Sequence, residues 1–205
     1  MNAIPDVRDG DREALRITEA VVGQVRAEHL DLPTPCAQWT LRRLLAHMIG
    51  QNHGFAAAAD GERTDRTVWA DRDFDDVGAA AAFAESSARV TTAFRREGVL
   101  DGEFWLPEVR GGQSFPARTA IGFHFVDYVV HGWDVARTIG VPAPFEPELL
   151  RQVLPIAEAV PDGANRREEG ASFQPGVGTA SGDLLDRIVA VLGRSPHWPD
   201  GSAPR

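Results

Sequence analysis

Residues 124–134 read HFVDYVVHGWD, and this stretch decides how the rest of the chain is interpreted. In an α-helix, which turns by about 100° per residue, His124, Asp127 and His131 fall at roughly 0°, 300° and 340°, on one stripe. Most residues around them are apolar, which is typical of a core helix. Two imidazoles and a carboxylate are costly to bury unless they bind something, and both groups are standard ligands of divalent metals. The stretch therefore predicts a helix that carries part of a metal site.

The composition excludes several classes of protein. The 205 residues fit one domain, or one domain with an appendage, and the hydrophobic share of 43% is that of an ordinary globular protein. The net charge of −9, with no basic block, argues against a nucleic-acid-binding protein. All 21 basic residues are arginine, which excludes a lysine Schiff base and a lysine general base.

The cellular location is predicted from cysteine usage and hydropathy. Cys36 is the only cysteine, so an intrachain disulfide is excluded and a reducing cytoplasm is the default. The polar, acidic residues 1–10 do not resemble a signal peptide, and no run of 18 apolar residues occurs. We therefore expect a cytoplasmic protein that does not span a membrane.

Apolar residues recur at helical spacing in four long segments. The predicted helices are residues 11–29, 41–59, 77–97 and 117–139. Thr40 is a suitable N-cap for the second, and Gly140 with Pro142 ends the fourth. The glycines and prolines of residues 99–116 permit only a loop or a short hairpin.

Two shorter helices are predicted after the fourth, at residues 147–160 and 183–192, with a linker rich in glycine and proline between them. The fold class is therefore all-α: a four-helix bundle with a short loop or hairpin before helix four and extra C-terminal helices. We expect residues 1–165 to form the bundle. Residues 166–205 are expected to form a linker and a short helix that docks on it.

The metal site needs a ligand from a second helix. His47 lies in the apolar pattern of helix two, whereas His53 points about 120° away from it. Asp127 and His131 lie one turn apart on helix four, a spacing that suits a single ion. His124 lies a further turn away, which favours a role in the pocket or as a proton carrier.

Other polar residues have two interpretations each. Residues 104–106 can be an edge strand or a lid over a pocket. Gln51, one turn after His47, and Arg110, near this segment, can bind a ligand or simply be solvated or buried polar residues. Asp134 can orient a ligand histidine or form a salt bridge with an arginine. Arg137 can bind a substrate carboxylate or pair with a surface acid. Cys36 can be a nucleophile, although a small buried cysteine is common.

Three motifs together resemble a known family. They are PTPCAQWT at residues 33–40, LLAH at 44–47 and VVHGWDVAR at 129–137. The sequence resembles the DinB/YfiT-like superfamily of metalloenzymes, in the branch that shares its N-terminal domain with mycothiol-dependent maleylpyruvate isomerase. The resemblance covers roughly residues 10–160. It implies a DinB-like bundle whose metal ligands are His47, Asp127 and His131, with Asp127 in place of the isomerase's glutamate.

The resemblance also implies a function. A divalent ion, zinc first and nickel or iron as alternatives, would activate a low-molecular-weight thiol such as mycothiol. The expected enzyme is a thiol S-transferase or isomerase that acts on a small electrophilic substrate. His124 and Asp134 are the expected catalytic residues, and Arg110 and Gln51 the expected cofactor-binding residues.

Two other functions remain open at this point. One is a non-catalytic helical bundle that binds metal or forms a homodimer. In that case His47, Asp127 and His131 would hydrogen-bond to one another and no cleft would reach them. The other is a metal-dependent hydrolase, for which His124 is the only obvious general base.

Overall fold

The computed structural model describes residues 5–36, 39–109, 111–168 and 171–199. Within these ranges the chain is mainly helical, with one two-stranded hairpin. The elements are α1 (Arg8–Val22), α2 (Leu41–Ala59), α3 (Ala79–Phe94), β1 (Glu103–Leu106), β2 (Gln113–Pro116), α4 (Ala117–Ile139), α5 (Pro147–Glu158) and α6 (Leu184–Val191). The predicted all-α class is confirmed.

The core lies among the four long helices. α1 packs against α3 and α4, and α2 packs against the same two helices. Large side chains from all four are fully buried there: Leu15, Leu45, Met48, Phe83, Phe125 and Tyr128. Burial of each large apolar side chain contributes about 1.5–3 kcal/mol. α2 and α4, which carry the candidate ligands, therefore face one another across a well-filled core.

The helices of the candidate site have the bounds that the sequence predicts. The Thr40 side chain caps α2 by accepting a hydrogen bond from the Arg43 backbone N–H at 3.4 Å. α4 ends at Gly140, whose φ of 72° lies in the left-handed region that glycine adopts without strain. The start of α2 and the end of α4 are each set by one residue with a specific backbone role, so both could be predicted from the sequence.

Several helix ends differ from the prediction by two or more residues: α1 begins at Arg8, α3 ends at Phe94 and α5 ends at Glu158. At two further ends a local turn replaces helix. α1 ends at Val22 rather than His29: Gly23, a weak helix former, closes it, and Ala27–His29 form a separate 3₁₀ turn. α3 begins at Ala79 rather than Val77. There the Asp75 side chain accepts a hydrogen bond from the Val77 N–H, which holds a turn in front of the helix.

The segment between α3 and α4 is a hairpin, which is one of the two structures that the sequence permits there. β1 is antiparallel to β2, and Phe104 lies opposite Phe115. Phe104 is buried, and its ring stacks on the ring of Phe94 in α3. The hairpin is therefore anchored to the bundle by its aromatic residues. No helix in the described part of the chain is long and apolar enough to cross a membrane.

The C-terminal segment is held against α5 by a buried arginine. α6 packs on α5, and Arg166, in the turn Ala164–Arg167, is 2% exposed. Its guanidinium donates hydrogen bonds to four backbone carbonyls, those of Val160, Pro161, Gln174 and Val191. Arg166 thus joins the end of α5, the following loop and the end of α6.

We expect Arg166→Met to lower the free energy of unfolding by about 2–4 kcal/mol, because it leaves several buried carbonyls without a donor. Urea denaturation followed by circular dichroism measures the change. Arg167→Met is the matched control, since Arg167 is exposed in the same turn and should change stability by less than about 0.5 kcal/mol. Equal effects of the two substitutions would contradict this role of Arg166.

Candidate metal centre

The structure brings the three predicted ligands together. His47 comes from α2, and Asp127 and His131 come from successive turns of α4. Each offers a ligand atom within 4.8 Å of the other two. His131 Nε2 lies 3.4 Å from Asp127 Oδ1. The convergence joins His47 to two residues that lie eighty or more positions later in the sequence.

Each histidine of the centre is oriented by a carboxylate on its other nitrogen. His131 Nδ1 lies 3.0 Å from Asp134 Oδ2, and His47 Nδ1 lies 3.4 Å from Asp71 Oδ1. A carboxylate only accepts, so each Nδ1 is the donor, and in the neutral ring each Nε2 keeps a free electron pair. This carboxylate–histidine arrangement is the usual second layer of a metal site.

The donor set and its spacing fit a divalent ion. Two ligand atoms about 2.1 Å from a tetrahedral ion lie about 3.4 Å apart, which matches the separation of His131 Nε2 and Asp127 Oδ1. The side chains of His47 and Asp127 are 15% and 23% exposed, so one side of the centre is exposed to solvent. Three protein ligands with an open side are typical of a catalytic metal site rather than a structural one.

The electrostatics of the centre favour a cation. Burial by itself lowers the pKa of His47, but the hydrogen bond to Asp71 and the charges of Asp127 and Glu108 outweigh burial and raise that pKa above its usual value. The same hydrogen bond to His47 lowers the pKa of the Asp71 carboxyl. The carboxylates thus create a negative potential at the open side.

Asp71 reaches His47 because the chain before it lies in a groove of α2. Gly50 and Gly54 form this groove: a Cβ on Gly50 would lie 2.4 Å from the Ala70 carbonyl oxygen, and one on Gly54 would lie 2.2 Å from the Trp69 ring. The Arg72 N–H donates to the Ala46 carbonyl at 2.9 Å. Small residues spaced by one turn therefore let residues 69–72 cross the helix and deliver the carboxylate.

The rim of the centre contains one predicted binding residue and one residue that the sequence did not indicate. Gln51 is 5% exposed and its Nε2 donates to Glu108 Oε1 at 3.0 Å. Desolvation raises the pKa of the Glu108 carboxyl, while the charge of His47 opposes the shift. Glu108 belongs to the β1–β2 turn, so this turn lies beside the centre. Arg110 lies outside the described residues.

Asp134 makes both of the contacts that the sequence offered as alternatives. It accepts from His131, and Arg194 Nη2 lies 3.3 Å from the same Oδ2. Arg137 does not pair with a surface acid among the described residues. Its guanidinium donates to the carbonyls of Pro196 and Trp198 at 2.9 and 2.7 Å, so it fastens the end of the chain.

Cys36 lies close to His131 and Asp134 but is poorly suited to be a nucleophile. Its sulfur and one ligand atom of each of the other two are within 4.8 Å of one another. Burial first, and then the charges of Asp134 and Asp127, raise the pKa of the thiol to about 11. At neutral pH the side chain is held as a thiol.

The structure does not bring His124 to the other three residues. Its ring is completely buried, with Nδ1 2.6 Å from Asp11 Oδ1 and Nε2 3.1 Å from Asn52 Oδ1. Tyr128 stacks on it, with ring centroids 4.2 Å apart. Asn52 in turn donates to Ser86 at 2.9 Å. His124 therefore links α1, α2 and α4 inside the core.

Three residues near the centre were missed by reasoning from the sequence. Asp71 is one of several acids in the polar connection after α2, Glu108 lies in a turn, and Arg194 lies in the tail beyond α6. None belongs to a helical stripe. The small residues Ala46, Gly50 and Gly54, spaced by four, are the one signal that another segment crosses α2.

Comparison with known sequences identifies the family. The sequence model described as the mycothiol maleylpyruvate isomerase N-terminal domain matches residues 12–136, which is more than half of the chain. The chain belongs to this family. A protein of Mycobacterium tuberculosis named only as uncharacterised is 32% identical over 143 residues, covering 69% of this chain and 71% of the relative; the match recurs in two strains.

Solved structures confirm the fold. Crystal structures of mycothiol-dependent maleylpyruvate isomerase and of a point mutant of it superpose with a TM-score of 0.59, at 16% and 15% identity. The aligned region covers 74% of this chain and 66% of the isomerase, so the chain spans just under two thirds of the isomerase's length. The predicted resemblance to this N-terminal domain is confirmed.

We expect Gly50→Ala to destabilise the protein by about 1–3 kcal/mol, although alanine is the better helix former by about 1 kcal/mol. The added methyl group would collide with the backbone at Ala70 and push residues 69–72 off α2. Thermal unfolding measures the loss. In Gly23→Ala the methyl group meets only atoms 3.4 Å or more away, so that control should be neutral or slightly stabilising. A stabilised Gly50→Ala protein would contradict the groove.

We expect Asp11→Ala to lower the free energy of unfolding by about 2–4 kcal/mol, because it leaves the buried His124 Nδ1 without its partner. Asp9→Ala is the control in the same turn, since the Asp9 side chain is 97% exposed. Guanidinium denaturation of both variants measures the difference. A neutral Asp11→Ala would contradict the structural role of the His124 network.

Proposed function

We propose that the chain binds one divalent metal ion through His47, Asp127 and His131 and uses it to activate a low-molecular-weight thiol. The enzyme would transfer this thiol to a small electrophile, or use it to isomerise one. The observation that carries the proposal is the convergence of two free Nε2 atoms and a carboxylate at one partly exposed point. Membership of the family supports it.

The non-catalytic alternative is less consistent with the contacts. That alternative expects the three side chains to satisfy one another. Instead, the hydrogen-bond partner of His47 is Asp71 and that of His131 is Asp134. Because these hydrogen bonds use the Nδ1 atoms, the Nε2 atoms and the Asp127 carboxylate face one another. Within the described residues, His47 forms no hydrogen bond with Asp127 or His131. Such an arrangement is expected of ligands and not of a closed polar cluster.

Zinc is the favoured ion, because two imidazoles and a carboxylate with an open side are a common catalytic zinc set; nickel and iron(II) accept the same donors. When bound, the ion would lower the pKa of a thiol at its open side and keep it as a thiolate. Asp71 and Asp134 fix the two imidazoles. Asp127, more exposed than either histidine, lies at the side where a solute enters.

The thiol comes from outside the chain in this proposal. Cys36 is the only cysteine and its pKa of about 11 keeps it protonated. The structurally similar isomerases are mycothiol-dependent, which favours mycothiol or a related thiol. When the thiolate adds to one carbon of an activated double bond, the π bond breaks and its electron pair moves to the activating carbonyl as an enolate. Transfer follows if the adduct takes a proton and is released as a thioether. Isomerisation follows if the adduct rotates about the former double bond and then expels the thiolate.

The metal site is tested by titrating the full chain, stripped with chelator, with Zn²⁺ in a calorimeter. We expect about one ion per chain, and at least a 100-fold loss of affinity in His47→Ala, Asp127→Asn and His131→Ala, since each removes one of three ligands. His53→Ala is the matched control, because His53 lies on the same helix as His47 and outside the centre. Zn²⁺ binding that survives all three ligand substitutions would overturn the proposed site.

The use of a thiol is tested with the Co²⁺-loaded protein and mycothiol. A thiolate on cobalt produces a sulfur-to-metal charge-transfer band in the near ultraviolet, and we expect this band to be absent from the His131→Ala protein. Maleylpyruvate and a simple activated alkene serve as electrophiles, with consumption of thiol or change of isomer as the readout. Ester hydrolysis at the same rate with and without thiol would instead identify a metal-dependent hydrolase and contradict the thiol step.

A further inference from the structure

A row of three buried polar groups extends from the metal centre to the C-terminal segment. His131 Nδ1 lies 3.0 Å from Asp134 Oδ2, and Arg194 Nη2 lies 3.3 Å from that same oxygen. Asp134 is 0% exposed and Arg194 is 3% exposed. Arg194 follows α6, so a residue far along the chain contacts the carboxylate that orients a candidate ligand.

The backbone around Arg194 holds its guanidinium in place. The Arg194 N–H donates to the Val189 carbonyl and its Nη1 donates to the Leu192 carbonyl, each at 2.9 Å. Gly193 has a φ of 86°, which makes the sharp turn from α6 toward the centre. On the other side of Arg194, the hydrogen bonds from Arg137 to the carbonyls of Pro196 and Trp198 fasten the tail to α4. The arginine is therefore rigidly placed.

Stability alone does not account for this ion pair. Asp134 Oδ1 and Arg194 Nε are buried without a hydrogen-bond partner in the described part of the chain. A buried pair with unsatisfied atoms costs desolvation energy that its mutual attraction barely offsets, and an apolar pair of similar size would often be as stable. The geometry does have a consequence for the centre. The fixed guanidinium holds the Asp134 carboxylate where it accepts from His131 Nδ1.

We propose that Arg194 is a positioning residue of the metal centre. By holding Asp134, it fixes the plane of the His131 ring so that Nε2 faces Asp127 and His47. The inference rests on the proposed function, because it requires that this centre binds metal. Arg194 lies outside the family match at residues 12–136, so the tail completes a centre whose ligands all belong to the family domain.

The test uses the full chain loaded with Co²⁺, whose visible absorption reports coordination geometry. We expect Arg194→Met to weaken Co²⁺ binding by about 10–100-fold and to change the visible spectrum, as loss of an outer-layer partner does. Arg194→Lys should restore most of the affinity, because it returns a positive donor to Asp134. In Asp134→Ala, the added substitution Arg194→Met should weaken binding no further, since its partner is already absent.

Arg166→Met is the matched control, because Arg166 is also a buried arginine of the C-terminal segment and, within the described residues, its hydrogen bonds go to backbone carbonyls. It should lower stability and leave Co²⁺ affinity and spectrum unchanged. If Arg194→Met fails to fold, Arg194→Gln and Arg194→Lys carry the comparison, with the glutamine variant binding Co²⁺ more weakly.

Two results would overturn the inference: a folded Arg194→Met protein with the affinity and spectrum of the parent chain, or an equal loss in Arg166→Met. A parent chain that binds no Co²⁺ would instead overturn the proposed function, and this inference with it.

Discussion

The hydrogen bond between His131 and Asp134 is the contact on which the candidate centre depends. Both residues lie on α4, three positions apart, so the helix itself places the carboxylate beside the ring. His47 has no such partner on its own helix and relies on Asp71 from the connection that crosses α2. The partner of His131 thus comes from its own helix, where Arg194 contacts it, and the partner of His47 comes from tertiary packing alone. A change in the loop at residues 69–72 therefore affects His47 and leaves the α4 pair in place.

Helix ends were predictable at two residues with a specific backbone role. Thr40 and Gly140 mark ends of α2 and α4, and both helices have the predicted bounds. α1 was predicted to extend to His29 because Val25 continues the apolar spacing past Gly23 and a histidine suits a helix C-terminus. Apolar spacing records which residues face the core, and a 3₁₀ turn or a loop can satisfy it as well as a helix can. The sequence therefore predicted the layout of the core better than the ends of its helices.

The candidate site was predictable only as far as helix geometry reaches. The spacing of Asp127 and His131, with His47 on a facing helix, follows from periodicity and from the resemblance to a family. Asp71, Glu108 and Arg194 reach the centre through a crossing segment, a hairpin turn and a tail. Their positions depend on how irregular segments pack on helices, which periodicity does not describe. The spacing of Gly50 and Gly54 indicates that a segment crosses α2, but it does not indicate which segment.

His124 shows why a stripe on a helix is not yet a site. Its angle around α4 is within about 20° of that of His131, but seven residues separate the two, which is about 10.5 Å along the helix axis. At that level both ring nitrogens have partners, Asp11 and Asn52, and no nitrogen is left for a ligand. His47 and His131 each have one nitrogen engaged and one free. The number of free nitrogens, more than burial or spacing, distinguishes a histidine that can bind metal from one that joins helices in a core.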